Sequence, residues 1–400
     1  MKIYLLTPIY ATTTSMQGAT PVVHYFTREW IKMGHEVSVF HFEAKYPRLM
    51  YWAGRLFQHK LNSRLGMLVP VVCPSDGDYD AEGVHVHRRC LKKLVPHSLY
   101  SKNRIAYALS CIDEFIEREG EPDWFIGHWD NPQLELLDAL KKRYRKPSCL
   151  VVHDNEFNYE SKYGERCFEM LNNLDVIGFR SPVAQRKFEK KYGKPFHSFI
   201  ASSGVSGLFL SEGKARLYSA KQPIRNYVFV GSLIERKHPV AIVTALAKVY
   251  PEGNYSITYI GDGAEKDIIN QEHKKHGGFG EVKFTGRIPR EEIIGYLKQA
   301  EVFVMISEGE IFGLVYLEAM ALGLIPVGSR NEGIDGVIKD GENGFLCEAG
   351  NADELANVLD RIKNLPLVEL ERLSNNAKET ANEYSDEVVA KHYIENLKAI

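Results

Sequence analysis

The sequence predicts an α/β protein made of two doubly wound domains. Three observations lead there. Short apolar runs recur with helix-patterned segments between them, as parallel strands joined by crossover helices require. The alternation halts in a stretch rich in Ser, Gly and Lys, residues 202–226, and then restarts. Finally, 400 residues at 44% hydrophobic content exceed one typical domain and can fill two cores.

In order, the first half reads as strand 2–6, loop 7–20, helix 21–33 closed by Gly34, and strand 37–42. Further strands are expected at 124–127, 149–152, 176–179 and 196–200. The second half reads as strand 227–230, helix 239–249, strand 256–260, helix 264–275, strand 282–284, helix 290–299, strand 302–306, helix 314–322, strand 325–327 and helix 353–365. Asn351 and Glu354 are placed to cap that last helix. The expected division is a first domain 1–203, a linker 204–225, a second domain 226–383, and a C-terminal helix 384–400 free to pack back on the first domain. Two such domains would face a central cleft. Ligands of these sheets sit at the carboxyl ends of the strands, where Gly18, Gly231, Gly261, Gly263, Gly286 and Gly313 fall.

Composition narrows the function classes. The six cysteines show no CxxC spacing, which argues against a zinc site or a disulfide framework. No apolar run is long enough to span a membrane, and with a strand read from Lys2 and no charged and apolar leader pattern ahead of it, no signal peptide is expected. The expected location is cytoplasmic. Residues 1–200 hold 28 basic and 23 acidic side chains, and the remainder 22 and 29. Residues 45–104 alone hold 11 basic and 4 acidic ones. This zone, with Tyr46, Tyr51, Trp52 and Phe57 among Arg48, Arg55, Lys60 and Arg64, fits an anionic acceptor or peripheral contact with the inner face of the membrane. It fits an ordinary helix with a buried aromatic face equally well. No nucleic-acid motif accompanies it. Asp76, Asp78 and Asp80 alternate but fail the EF-hand pattern, and a solvated loop is expected there.

The stretch 307–323, SEGEIFGLVYLEAMALG, carries the chemistry. Glu310 and Glu318 flank a helix start whose free N–H groups, at Gly313, Leu314 and Val315, suit phosphate oxygens. Glu318 lies in an otherwise apolar helix, where an unpaired carboxylate would be costly to bury, so a ligand hydroxyl is its expected partner. His128 and His153 each close an expected strand.

This stretch resembles the acidic signature of retaining glycosyltransferases with the GT-B fold, two Rossmann-like domains facing a cleft. Gly231-Ser232-Leu233 with Lys237 is similar to that family's phosphate loop. Gly261-Asp262-Gly263, Gly286-Arg287 and Asp340-Gly341-Glu342-Asn343-Gly344 match in order. The resemblance implies transfer of a sugar from a nucleoside diphosphate donor, with UDP the commonest class, to a hydroxyl of a glycan, glycolipid or lipid-linked acceptor. It implies catalytic roles for His153, Glu310 and Lys237. Lys237 would neutralise the departing diphosphate, and Glu310 would hold donor-sugar hydroxyls. Nucleotide contacts would come from Glu318 at the ribose, Gly231, Gly18, Arg287 beside the base, and Gly313 to Val315. Arg236 would stand in for the arginine the family usually has where this chain has Ser232. His128, Asp130 and Asp154 are acceptor-side candidates. No metal or other cofactor is expected. A nucleotide-sugar epimerase or another enzyme on the same architecture, such as a phosphorylase, and a non-catalytic sugar-binding module are the alternatives.

Overall fold

The computed structural model describes residues 1–10, 21–65, 71–214 and 224–400, with side chains omitted over 58–65. Gly18 lies outside the described residues, as do the side chains of Lys60 and Arg64. The chain divides into two compact units. One comprises Met1–Arg180, Ala184–Ser202 and Asp386–Ile400; the other comprises Ser181–Val183 and Ser203–Ser385.

The first unit is built on β1 (Lys2–Thr7), β2 (Glu36–Lys45), β3 (Gly77–Ala81), β4 (Val84–Lys92), β5 (Trp124–His128), β6 (Ser148–Val152), β7 (Val176–Phe179) and β8 (Ser198–Ile200). Its sheet order is β3-β4-β2-β1-β5-β6-β7-β8, parallel except for β3 against β4. Helices α1 (Val22–Lys32), α2 (Arg48–Leu65), α3 (Lys102–Glu119), α4 (Gln133–Tyr144), α5 (Tyr159–Tyr163), α6 (Arg166–Asn173) and α7 (Pro182–Tyr192) lie along the chain between these strands and their neighbours. The central strands are buried along their whole length, except for Lys2 at the start of β1. That is why they read as continuous apolar runs rather than as alternation.

The second unit adds α8 (Gly207–Lys214), β9 (Asn226–Val230), α9 (Pro239–Val249), β10 (Ser256–Ile260), α10 (Lys266–Lys275), β11 (Glu281–Gly286), α11 (Arg290–Leu297) and β12 (Val302–Val304). These are followed by α12 (Leu314–Ala321), β13 (Ile325–Ser329), β14 (Phe345–Cys347), α13 (Ala352–Lys363) and α14 (Leu367–Glu383). The strands form an all-parallel sheet ordered β11-β10-β9-β12-β13-β14. The order turns between β9 and β12, so the loops after these two strands converge at the sheet's carboxyl edge.

The structure corrects several expectations. Residues 204–225 are not a plain linker. They contain α8, whose Phe209 is buried in the second unit's core, and that unit begins at Ser203. The aspartates expected in a solvated loop are partly in a strand: Asp78 and Asp80 lie on β3, facing His87 and His85 across the hairpin at 3.0 Å each. Asn351 caps α13, accepting from the N–H groups of Asp353 and Glu354 at 3.1 and 3.0 Å. Glu354 does not return the bond; its carboxylate accepts from Glu348 N–H and pairs with Arg330. The last helix, α15 (Asp386–Lys398), packs on α1. Trp30 donates its indole N–H to the Ala390 carbonyl at 3.1 Å, and Tyr393 meets Trp30 edge-on at 4.9 Å. Two large aromatics buried edge-to-face hold this segment by area and geometry together.

Candidate functional site

The loop after β12 enters α12 through Gly313, the helix N-cap, at φ +77° and ψ +63°. A side chain there would be strained, and its Cβ would come within 2.7 Å of the Tyr316 ring. Tyr316 N–H bonds back to the Gly313 carbonyl at 3.0 Å. The N–H groups of Leu314 and Val315 belong to the first turn, which carries no acidic side chain. They therefore remain available to an anion.

After β9 the chain passes Gly231 and makes a short 3₁₀ turn, Glu235–Lys237. Because β9 and β12 are neighbours, this turn meets the acidic loop. Lys237 Nζ donates to Glu310 Oε2 and lies 3.5 Å from Met305 Sδ. The two side chains are 12% and 15% exposed, so their charges are weakly screened. Arg236, half exposed, stands 4.0 Å from the same carboxylate oxygen. Glu332, absent from the sequence-based candidates, fixes the loop: its carboxylate accepts the Glu310 N–H at 2.9 Å, while the Glu310 carbonyl accepts from Gly333 at 2.9 Å.

Glu318 is buried, as its apolar helix suggested, but its partner differs from expectation. Arg290, at the start of α11, reaches it with both Nε and Nη2. Burial pushes the Glu318 carboxyl up and Arg290 opposes that shift. The sequence held one cue, since a cation at a helix N-terminus is disfavoured by the dipole and needs another reason to be there. Arg287 is exposed in the turn three residues earlier. The Gly261 position is explained by backbone contact: a Cβ would lie 1.9 Å from the Gly231 carbonyl oxygen. Ser232 is exposed beside it.

In the first unit, His128 and His153 form a pair, Nδ1 to Nε2 at 3.0 Å. His128 is fully buried. His153 stacks on Trp129 at 3.9 Å, and Trp129 holds a left-handed φ of +65° to present its indole. Such a conformation in a bulky residue costs about 1–3 kcal/mol. Burial, with the Arg180 guanidinium adding positive charge, holds both imidazoles well below their ordinary pKa. Both are neutral at pH 7. The His128 Nε2 is buried without a partner among the described residues. An unmet acceptor is cheaper there than an unmet donor. We therefore assign the shared proton to His128 Nδ1, donating to His153 Nε2, so His153 carries its own proton on Nδ1.

The acceptor candidates are partly engaged. Asp130 pairs with Lys162 at 3.0 Å, and Asp154 accepts from the N–H groups of Asn155 and Glu156 at 2.8 and 3.0 Å. The side chains of Asp78, His85 and His87 lie close enough to share a cation, with ligand atoms within 4.8 Å of one another, but they stand on β3 and β4 in the first unit. No helix among the described residues is long and apolar enough to cross a membrane.

The histidine pair predicts a pH response. A pKa depressed by folding contributes stability that is present above the unfolded value of 6.5 and lost as pH falls below it. Each such group costs about 1.4 kcal/mol per pH unit in that window. The first unit's melting temperature should fall below pH 6.5, and His128→Phe should flatten the fall. Equal slopes in both proteins would show that the pair titrates normally.

Comparison with known proteins gives these features their family. The profile of "Glycosyl transferases group 1" matches residues 219–380. The lipopolysaccharide core biosynthesis glycosyltransferase LpsE of Rhizobium meliloti is 31% identical over 285 residues, 70% of this chain and 77% of that protein. N-acetyl-alpha-D-glucosaminyl L-malate synthase of Bacillus anthracis is 31% identical over 166 residues, 42% of each chain. Among solved structures, sucrose-phosphate synthase from Thermosynechococcus elongatus superposes with a TM-score of 0.72 at 17% identity, over 100% of this chain and 99% of that one. Anabaena HepE in complex with UDP gives 0.68 at 18%, covering both chains fully. The chain belongs to the group 1 glycosyltransferases and is an enzyme of the GT-B fold.

Proposed function

We propose that the enzyme transfers a sugar from a nucleoside diphosphate sugar, UDP favoured, to a hydroxyl of a glycan, glycolipid or lipid-linked acceptor, retaining the anomeric configuration. The observation that carries this reading is the meeting of Lys237, Arg236 and Glu310 at the open start of α12. Lys237 and the N–H groups of Leu314 and Val315 would hold the diphosphate. As the bond from the anomeric carbon to the phosphate oxygen breaks, negative charge grows on that phosphate, and a fixed cation stabilises it. The bound donor would release Glu310 from Lys237 and take its carboxylate onto sugar hydroxyls. Glu318, oriented by Arg290, would accept from the ribose. In front-face displacement the acceptor oxygen bonds to the anomeric carbon, and its proton passes to the leaving phosphate oxygen. No side chain then serves as general base, and no metal or other cofactor is needed. His153, a neutral imidazole with a proton on Nδ1, can donate one hydrogen bond to an oxygen but cannot neutralise a phosphate. The HepE complex with UDP, on the same fold, supports the choice of base.

A thermal-shift screen with UDP, GDP and ADP tests the donor class. UDP at 100 times its dissociation constant should stabilise the fold by about 2.7 kcal/mol, with GDP and ADP well below it. Incubation with the matching nucleotide sugars should then release UDP in quantity only when an acceptor is added. Turnover of the sugar without any acceptor would favour an epimerase, and no shift with any nucleotide would favour a non-catalytic module.

A further inference from the structure

The fold brings five of the eleven basic residues of the segment 45–104 to one cavity. β2 and β4 run parallel and end at Lys45 and Lys92, while α2 and α3 begin at Arg48 and Lys102. A cavity of about 610 Å³ is lined by Lys45, Arg48, Lys92, Lys93 and Arg104, with Tyr46 and Tyr100 among them. That volume suits a small-molecule group. Among the described residues no carboxylate lines it, and none of the five cations makes an ion pair. Asp130 acts on Lys93 through its charge, but Lys162 already holds Asp130 at 3.0 Å. The Lys93 ammonium lies 4.7 Å from the Tyr100 ring centroid, and its burial pulls it down to about 8.

Two further features point to an anion. Neither helix has an acidic residue in its first turn, and the Ser101 side chain caps no N–H of α3. Arg48, Lys102 and Arg104 occupy those first turns, where the helix dipole disfavours cations. Five like charges, two of them in the first turns of these helices and three at or just past strand ends, repel one another, and a bound phosphate would relieve that repulsion through charge-assisted hydrogen bonds.

We propose that this cavity binds the phosphate group, monoester or diester, of an anionic ligand. That this ligand is the sugar acceptor rests on the transferase reading above; the anion site does not. The phosphate could belong to a soluble phosphorylated acceptor or to a lipid headgroup. Leu94, 83% exposed, lines the cavity, and Leu49 and Trp52, 71% and 59% exposed, follow Arg48 on α2; they would give the second source apolar groups to insert.

Lysine acetylation near pH 8, read peptide by peptide, tests the site, because only the free amine reacts. With inorganic pyrophosphate at ten times its dissociation constant, labelling of Lys93 should slow by roughly tenfold, following the free-site fraction. The Arg48→Gln/Arg104→Gln variant should lose that protection. The Lys237 peptide reports the second unit in the same digest, so failure of one site is seen apart from failure of the other. Phosphatidylglycerol vesicles that protect Lys93 where phosphatidylcholine vesicles do not would identify a lipid headgroup; protection by pyrophosphate alone would identify a soluble phosphate. No protection by either, or equal protection in the variant, overturns the proposal. Lys93 protection without any protection of Lys237 by UDP would discard the acceptor role.

Discussion

Replacing Lys237 with alanine should lower the rate of sugar transfer by roughly 10²–10³ while changing nucleotide affinity far less. The asymmetry follows from where the ammonium acts. It lies 12% exposed at the end of a short turn, aimed into the loop that leads to α12. On the proposed reading, the helix-start N–H groups and Arg236 would still hold the diphosphate of the bound donor in the variant. As the bond to the sugar breaks, the extra charge would fall on the phosphate nearest Lys237, and that is the charge the variant would leave unmatched. Glu310 would also lose the partner that holds it in the free enzyme. Single-turnover measurement of UDP release at saturating donor is the check. A variant whose loss lies entirely in KM would show that Lys237 binds donor and transition state equally. Arg236→Ala, at 51% exposure and 4.0 Å from the carboxylate, should have a smaller effect on both quantities.

The second large effect is expected at Glu318 and Arg290, which couple binding to stability. Glu318→Ala should weaken UDP by about tenfold or more, through loss of a charge-assisted hydrogen bond to the ribose. It should also cost roughly 3 kcal/mol of stability, because breaking a buried pair leaves one charge uncompensated. Arg290 is 25% exposed, so water limits that second cost. Arg290→Met is the sharper probe, since it leaves the 6%-exposed carboxylate without its cation. Burial already raises the Glu318 carboxyl, and losing Arg290 would raise it further. A raised folded-state pKa contributes stability that is complete below the unfolded value and is lost as pH rises through the folded one. Arg290→Met should therefore match the wild type most closely in mild acid and fall behind it as pH rises towards 8. A constant deficit across that range would mean that Glu318 is not charged in the native enzyme.

Much of this fold could be read from the residues because parallel central strands are buried on both faces. Runs such as 149–152 and 302–304 stand out for that reason. Elements away from the sheet centres were harder to read. β4 alternates buried Val84 and Val86 with His85 and basic residues, so its period of two was hidden inside a charged zone. α8 has the Ser and Gly content of a loop, and burial of Phe209 overrides its weak propensity. α14 was readable in principle, since Leu370, Leu373, Ala377 and Ala381 mark one helical face.

At the site, the residues of the acidic stretch and Lys237 were legible because motif spacing survives in one dimension. Their partners were not. Arg290 lies 28 positions from Glu318 and Glu332 lies 22 from Glu310, and only the order of the sheet brings them together. The basic zone was visible as composition, but its gathering round one cavity depends on the parallel pairing of β2 with β4.

Calorimetric titration of UDP into the wild type and into Glu318→Ala tests the central claim most directly, namely that the second unit holds a nucleoside diphosphate between Lys237, the start of α12 and Glu318. Saturable one-to-one binding to the wild type, weakened about tenfold or more in the variant at a temperature where both remain folded, is the expected result. Equal affinity in the two proteins, or no binding of UDP, GDP or ADP to the wild type, would contradict it.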